Sequence, residues 1–165
     1  GCFGDPGLWA LREGSAAPVT GLAEASFFQA RRHGGFAVVT GGAKWRPMLE
    51  RLAWGLGVAE HVVAVHTVAP SGVELANNPE SAIALLAHAC QEAAKDTSVK
   101  TVVLGGAGLA GMASQVQPYV SLPVIDSVTA GTEYALSMPM PSAAGNRFAV
   151  QWRHVSAELS ALGQT

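Results

Sequence analysis

This sequence is short of charge, of cysteine and of long apolar runs. Asp, Glu, Lys and Arg make up 13% of its 165 residues, and the formal net charge is −2. A chain so close to neutral has no basic stripe to set against phosphates, so neither nucleic acid nor an anionic membrane surface is expected as a partner. No apolar run approaches the roughly twenty residues that cross a bilayer. No basic segment followed by a long apolar one opens the chain, so no signal peptide is expected. Two cysteines, Cys2 and Cys90, are too few for a disulfide framework, and the cytoplasm is the expected compartment. The sequence has no H-x-x-x-H pair or carboxylate set with metal-ligand spacing. It has no G-x-S-x-G around Ser71 or Ser127 to support a serine hydrolase, and no internal repeat. The histidines read as surface or loop residues, except His66, which lies near the end of an expected strand. Trp9, Trp45, Trp54 and Trp152 form no stacking platform and are expected to pack.

What the chain does have is apolar residues, at 49%, and 19 glycines. That is enough for one domain or two small ones. Asp5-Pro6 reads as a helix start, with Asp as N-cap and Pro at the first helical position; this helix gives way by Gly14. Pro18 to Gly21 is expected to be a short strand. Leu22 to Arg32 reads as a helix ended by Gly34-Gly35. Phe36 to Thr40 is a buried strand, and Gly41-Gly42 turns the chain into a helix over 45–56. His61 to Val68 is a second strand. Ala69 to Asn78, rich in Pro, Gly and Asn, is expected to be loop. A periodic helix then runs from Asn78-Pro79-Glu80 to about Lys95. Thr101 to Leu104 and Pro123 to Asp126 are the third and fourth strands. A helix over 128–136, a loop over 139–146 and a terminal helix over 155–162 complete the chain. Strands alternating with helices imply a parallel sheet with right-handed crossovers, and ligands bind at the carboxyl ends of such strands. Thr40-Gly41, the loop after Val68, and Gly105-Gly106 all fall at those ends.

Two constellations carry chemistry. The stretch Gly105-Gly106-Ala107-Gly108-Leu109-Ala110-Gly111 follows an apolar strand and precedes a helical segment, so it offers bare backbone N–H groups to a ligand. Its G-x-G-x-x-G spacing matches a dinucleotide loop, with Asp126 about where a ribose-binding acid belongs. Against that reading, the stretch between Gly111 and Leu122 is short for a crossover helix and contains Pro118, and the motif falls on the third strand rather than the first. The second constellation is Cys2, just ahead of a helix start and among backbone donors, a position that favours thiolate. The other reading of Cys2 is a small buried residue at a strand end. Cys90, inside the apolar run of a helix, reads as core.

The segment Cys2-Phe3-Gly4-Asp5-Pro6-Gly7-Leu8 resembles the first cysteine motif of the hydantoin racemase branch of the Asp/Glu racemase superfamily. Pro18 to Ser26, Phe36 to Gly41, Val102 to Gly111, Pro123 to Ser127 and the tail Gln151 to Ser156 follow in that family's order. The resemblance implies two similar Rossmann-like parallel-sheet α/β domains facing each other, with the substrate between them. It divides the chain into residues 1–34, with 127–165, as the remainder of an incomplete first domain and 35–126 as the second, and implies that roughly the first third of a full-length member precedes Gly1. It also implies cofactor-independent proton transfer at a carbon next to a carbonyl. One cysteine thiolate removes the proton and a second cysteine, on the opposite face, returns one. Cys2 matches the first position, and Gly106 stands where the second cysteine belongs. Thr40 and Gly41 are then candidates to bind a substrate carboxylate or carbonyl, and Gly105, Gly106 and Ala107 form the oxyanion-side loop. The expected partner is a small molecule (a hydantoin, an amino acid or a related carbonyl compound), with a homo-oligomer as a further expectation and no metal or cofactor. The alternatives are a one-cysteine decarboxylase or isomerase of the same superfamily, an inactive ligand-binding relative, and a dinucleotide-binding protein.

Overall fold

The computed structural model describes residues 2–15, 17–139 and 155–158. Four strands, β1 (Gly35–Gly41), β2 (Val62–Val68), β3 (Val99–Gly105) and β4 (Val124–Asp126), pair in parallel in the order β2-β1-β3-β4. Central strands in such a sheet are covered on both faces and read as continuous apolar runs. Accordingly, β1 is buried from Phe36 through Gly41, whereas the edge strand β2 is only half-buried. Helices α1 (Leu8–Gly14), α2 (Leu22–Ala30), α3 (Arg46–Gly55), α4 (Gly72–Asn77), α5 (Pro79–Ala93), α6 (Met112–Val116) and α7 (Ser127–Ser137) complete the described elements, with single 3-10 turns between several of them.

The two-residue period of the strands sorts the core into two layers. Ala37, Val39, Val102 and Leu104 join Leu75, Leu86 and Cys90 from α4 and α5. Phe36, Val38 and Val103 join Phe27, Leu49 and Ala130 from α2, α3 and α7. Each large apolar side chain so buried contributes about 1.5–3 kcal/mol. Helices α2 and α7, which lie outside residues 35–126, thus cover a face of this same sheet.

Three local expectations change. Pro18 to Gly21 forms no strand: the Val19 carbonyl accepts from Arg12 Nε at 3.0 Å instead of from a sheet neighbour. The stretch expected as loop over 69–78 contains α4, begun by a capping box in which Ser71 Oγ accepts from Glu74 N at 3.3 Å and Glu74 Oε2 accepts from Ser71 N at 2.7 Å. Helix α1 starts at Leu8, with Gly7 as its N-cap, and not at Pro6. Of the tryptophans, Trp45 packs against the core, whereas Trp9 and Trp54 are 49% and 79% exposed and so are not packing residues; Trp152 lies outside the described residues. The tail resemblance over 151–154 and most of the terminal loop and helix also fall outside them.

Candidate active site

The chain leaves β1 for β2 on one side and returns to β3 on the other, so β1 and β3 are neighbours that part company at their carboxyl ends. A crevice outside that switch point is where open α/β sheets bind ligands. Thr40 of β1 lies opposite Gly105 of β3 in the register. A Cβ placed on Gly106 would sit 3.9 Å from Thr40 Oγ1 and 3.6 Å from Leu109 Cγ. Thr40, Gly41, Gly105, Gly106 and Ala107 are therefore one cluster at the switch point. Thr40 is 3% exposed, and its hydroxyl makes no hydrogen bond among the described residues. Gly106 holds φ +140, a backbone conformation that L side chains rarely adopt. Its N–H donates to Ser127 Oγ at 3.1 Å. Ala107 opens a 3-10 turn, so its N–H has no acceptor inside that turn.

Two glycines near the switch point serve loop packing. Gly108 approaches the Gly72 backbone, and Gly41 the Pro70 carbonyl, more closely than a side chain permits. Asp126 is engaged in the same local framework: its Oδ1 accepts from Val128 N at 2.9 Å and Thr129 N at 3.1 Å, capping α7, and its Oδ2 accepts from Gly111 N at 2.7 Å. An acid so occupied is a helix cap, and the five-residue α6 that follows the glycine loop is no crossover helix of the dinucleotide type.

Cys2 is exposed and stands in a turn closed by Asp5 N donating to the Cys2 carbonyl at 3.1 Å. It lines a cavity of about 280 Å³ with Asp5, Thr20, Gly21 and Leu22. Phe3 links this turn to the switch point. Its ring lies edge-on to Phe27 at 6.2 Å, Phe27 meets Phe36 at 5.3 Å, and the three extend one core layer to the carboxyl end of β3. There the Phe3 ring fills the space a Cβ on Gly105 would need, approaching to 2.0 Å. The structure thus brings the Cys2 turn and the Gly105 loop into contact through Phe3, although the cavity beside Cys2 is not lined by Thr40, Gly41 or Gly105–Ala107. Cys90, by contrast, is fully buried in α5, where burial pushes its thiol up to about 12. The residues missed in the sequence are Phe3, Gly21 and Ser127. The signal for Phe3 was an aromatic beside a candidate nucleophile; a glycine accommodating a distant side chain leaves no local signal.

Geometry of this kind defines a doubly wound α/β protein with its candidate site at the switch point. A profile of the family described as Asp/Glu/Hydantoin racemase matches residues 1–135, and the chain belongs to that family. Hydantoin racemases from a Pseudomonas species, Rhizobium meliloti and Paenarthrobacter aurescens are 34%, 33% and 32% identical to it. These matches cover 81%, 81% and 83% of this chain but 54%, 56% and 58% of the relatives, so the chain spans about half the length of the relatives it matches. An allantoin racemase from Klebsiella pneumoniae superposes with a TM-score of 0.82 at 27% identity, over 98% of this chain and 68% of its own. Another, from Pseudomonas fluorescens, shares the fold with a TM-score of 0.78 at 24% identity, over 87% and 63%.

Proposed function

We propose that this protein is a cytoplasmic, cofactor-independent racemase acting on hydantoins or related carbonyl compounds, with Cys2 as its acid/base. The observation that carries the reading is the docking of the Phe3 ring, next to Cys2, on Gly105 at the switch point of the described strands, the place where sheets of this kind bind ligands. The hydantoin racemases it resembles supply the substrate class. A hydantoin carries an acidic C–H between a ring nitrogen and a carbonyl. The Cys2 thiolate removes that proton; the C–H electron pair moves into the ring, and charge develops on the carbonyl oxygen. The free N–H of Ala107, with the Thr40 hydroxyl, answers that charge. Return of a proton by the Cys2 thiol, to the face it left, gives exchange with solvent; return from the Gly106 face, where solvent water is the donor because the chain places no thiol there, gives racemisation.

A second reading is favoured by Gly106 itself. With no side chain there, the loop side of the site has no thiol, and an enzyme that protonates an enolate from one face only, a decarboxylase or one-base isomerase, fits that asymmetry. Residues 35–126 are the family's second α/β domain on this reading, with α2 and α7 packed on its sheet. The test is to incubate single enantiomers of 5-substituted hydantoins and amino acids with the protein and follow optical rotation. Loss of rotation without loss of substrate supports the racemase; carbon dioxide release supports the decarboxylase. Binding without turnover would overturn both.

A further inference from the structure

Asp5 is the only non-glycine residue with positive φ among the described residues, at +45. Such a conformation persists in an L residue when its surroundings over-determine it. The surroundings are plain. Helix α2 has Gly21 at its N-cap position, with no side chain to satisfy its first N–H groups. Asp5 supplies the missing oxygens from across the loop: Oδ1 accepts from Ala23 N at 3.2 Å and Oδ2 from Glu24 N at 2.8 Å. Gly21 makes room for this, since a Cβ there would fall 2.0 Å from Asp5 Cγ. The same residue's N–H closes the turn on the Cys2 carbonyl. Around the cap, Glu24 is buried and accepts from Thr20 Oγ1 at 2.9 Å and from Arg12, whose Nε holds the Val19 carbonyl. One carboxylate thus ties the reactive turn to a helix that packs on the sheet.

We infer that Asp5 is a positioning residue: by capping α2 in place of Gly21, it fixes the Cys2 turn over the carboxyl end of β3. The inference rests on the reading of Cys2 as the acid/base. A structural cap and a positioning device predict different behaviour when the cap is restored without Asp5. Gly21 has φ −108 and ψ 163, the extended backbone an N-cap serine adopts. Gly21→Ser therefore gives α2 its own cap and evicts the Asp5 carboxylate.

The experiment compares wild type, Asp5→Ala, Gly21→Ser and the double variant by Tm, by amide hydrogen exchange, and by kcat and KM for α-hydrogen exchange of hydantoin substrates. Asp5→Ala should lower Tm, speed exchange of the residue-5, Ala23 and Glu24 amides at least tenfold, and lower kcat at least tenfold with KM changed less. In the double variant Tm and the protection of Ala23 and Glu24 should return, while the residue-5 amide stays fast and kcat stays low. Asp5→Asn keeps one acceptor oxygen and should recover much of kcat. Recovery of kcat together with Tm in the double variant would reduce Asp5 to a structural cap and overturn the inference, as would unchanged protection of the residue-5 amide in Asp5→Ala. Amide exchange reads the anchoring without any turnover. If Cys2→Ser keeps full activity while the amide pattern is as expected, the assignment of Cys2 has failed and the anchor has not.

Discussion

Two loops meet at the carboxyl end of the sheet, and they are built in opposite ways. The Cys2–Pro6 loop presents side chains: a thiol, an aromatic ring and a carboxylate. The Gly105–Gly111 loop presents backbone, with a bare N–H at Ala107 and no side chain on Gly105 or Gly106. They fit because each lacks what the other supplies. Phe3 fills the volume that Gly105 leaves empty, just as Asp5 fills the volume left by Gly21. Gly105 and Gly21 each mark where a distant side chain arrives rather than where a ligand phosphate would sit.

The contrast is broken most severely at the thiol. Cys2→Ser should lower turnover about 10²–10⁴-fold, the range lost with a general acid/base, since an alcohol is a far poorer base than a thiolate. Cys90→Ser should leave turnover within about twofold and cost instead about 1–3 kcal/mol of stability, as a hydroxyl enters a site with no partner. Steady-state kinetics with thermal melts separates the two, and iodoacetamide should label Cys2 and spare the buried Cys90.

The contact between the loops is the next to test. Gly105→Ala drives a methyl into the Phe3 ring and should cost about 1–3 kcal/mol, the usual range for overpacking. Phe3→Ala removes the obstacle, so the double variant should be more stable than the two single losses added together, read by urea denaturation. Additivity would mean that the two loops do not touch.

A smaller effect concerns pH. Burial, opposed in part by the Glu24 and Ala23 backbone donors and aided by the charge of Glu24, lifts Asp5 above its ordinary value of 3.8. The folded protein then holds a proton that the unfolded chain releases. The stability this brings is complete below about pH 3.8 and is lost as pH rises through the higher folded value. The exposed Glu74, Glu92 and Asp96 are lowered by hydrogen bonds and slope the other way, but they cancel between two variants. Plotted against pH, the stability of wild type relative to Asp5→Asn should therefore fall across that window. A flat difference would mean that folding leaves the Asp5 carboxyl unshifted.

Much of the sheet was legible in the sequence because its central strands are continuous apolar runs between glycines. Phe36 to Thr40 and Thr101 to Leu104 lie inside β1 and β3, and helix α5 follows its periodicity. Helix α4 was obscured by Pro, Gly and Asn, though the Ser71-x-x-Glu74 signature of its cap stood in plain view. Asp5 was read as a cap, correctly in kind but for the wrong helix, because local sequence cannot say which N-terminus a turn residue will face. The clustering of Thr40 with Gly105 and Gly106 followed from strand ends alone. The Phe3–Gly105 and Asp5–Gly21 contacts did not, since each joins residues far apart in sequence through the absence of a side chain.

On the proposed reading, one face of the site carries a base and the other only backbone. The most direct measurement follows a single hydantoin enantiomer in deuterated water, with α-hydrogen exchange read by NMR and inversion by optical rotation in the same sample. The wild-type protein should exchange faster than it racemises. Gly106→Cys should raise racemisation more than exchange: its Cβ meets only ordinary contacts, although the φ of +140 costs about 1–3 kcal/mol of strain. Wild-type racemisation as fast as exchange would show a second base elsewhere, and the site would not be one-sided.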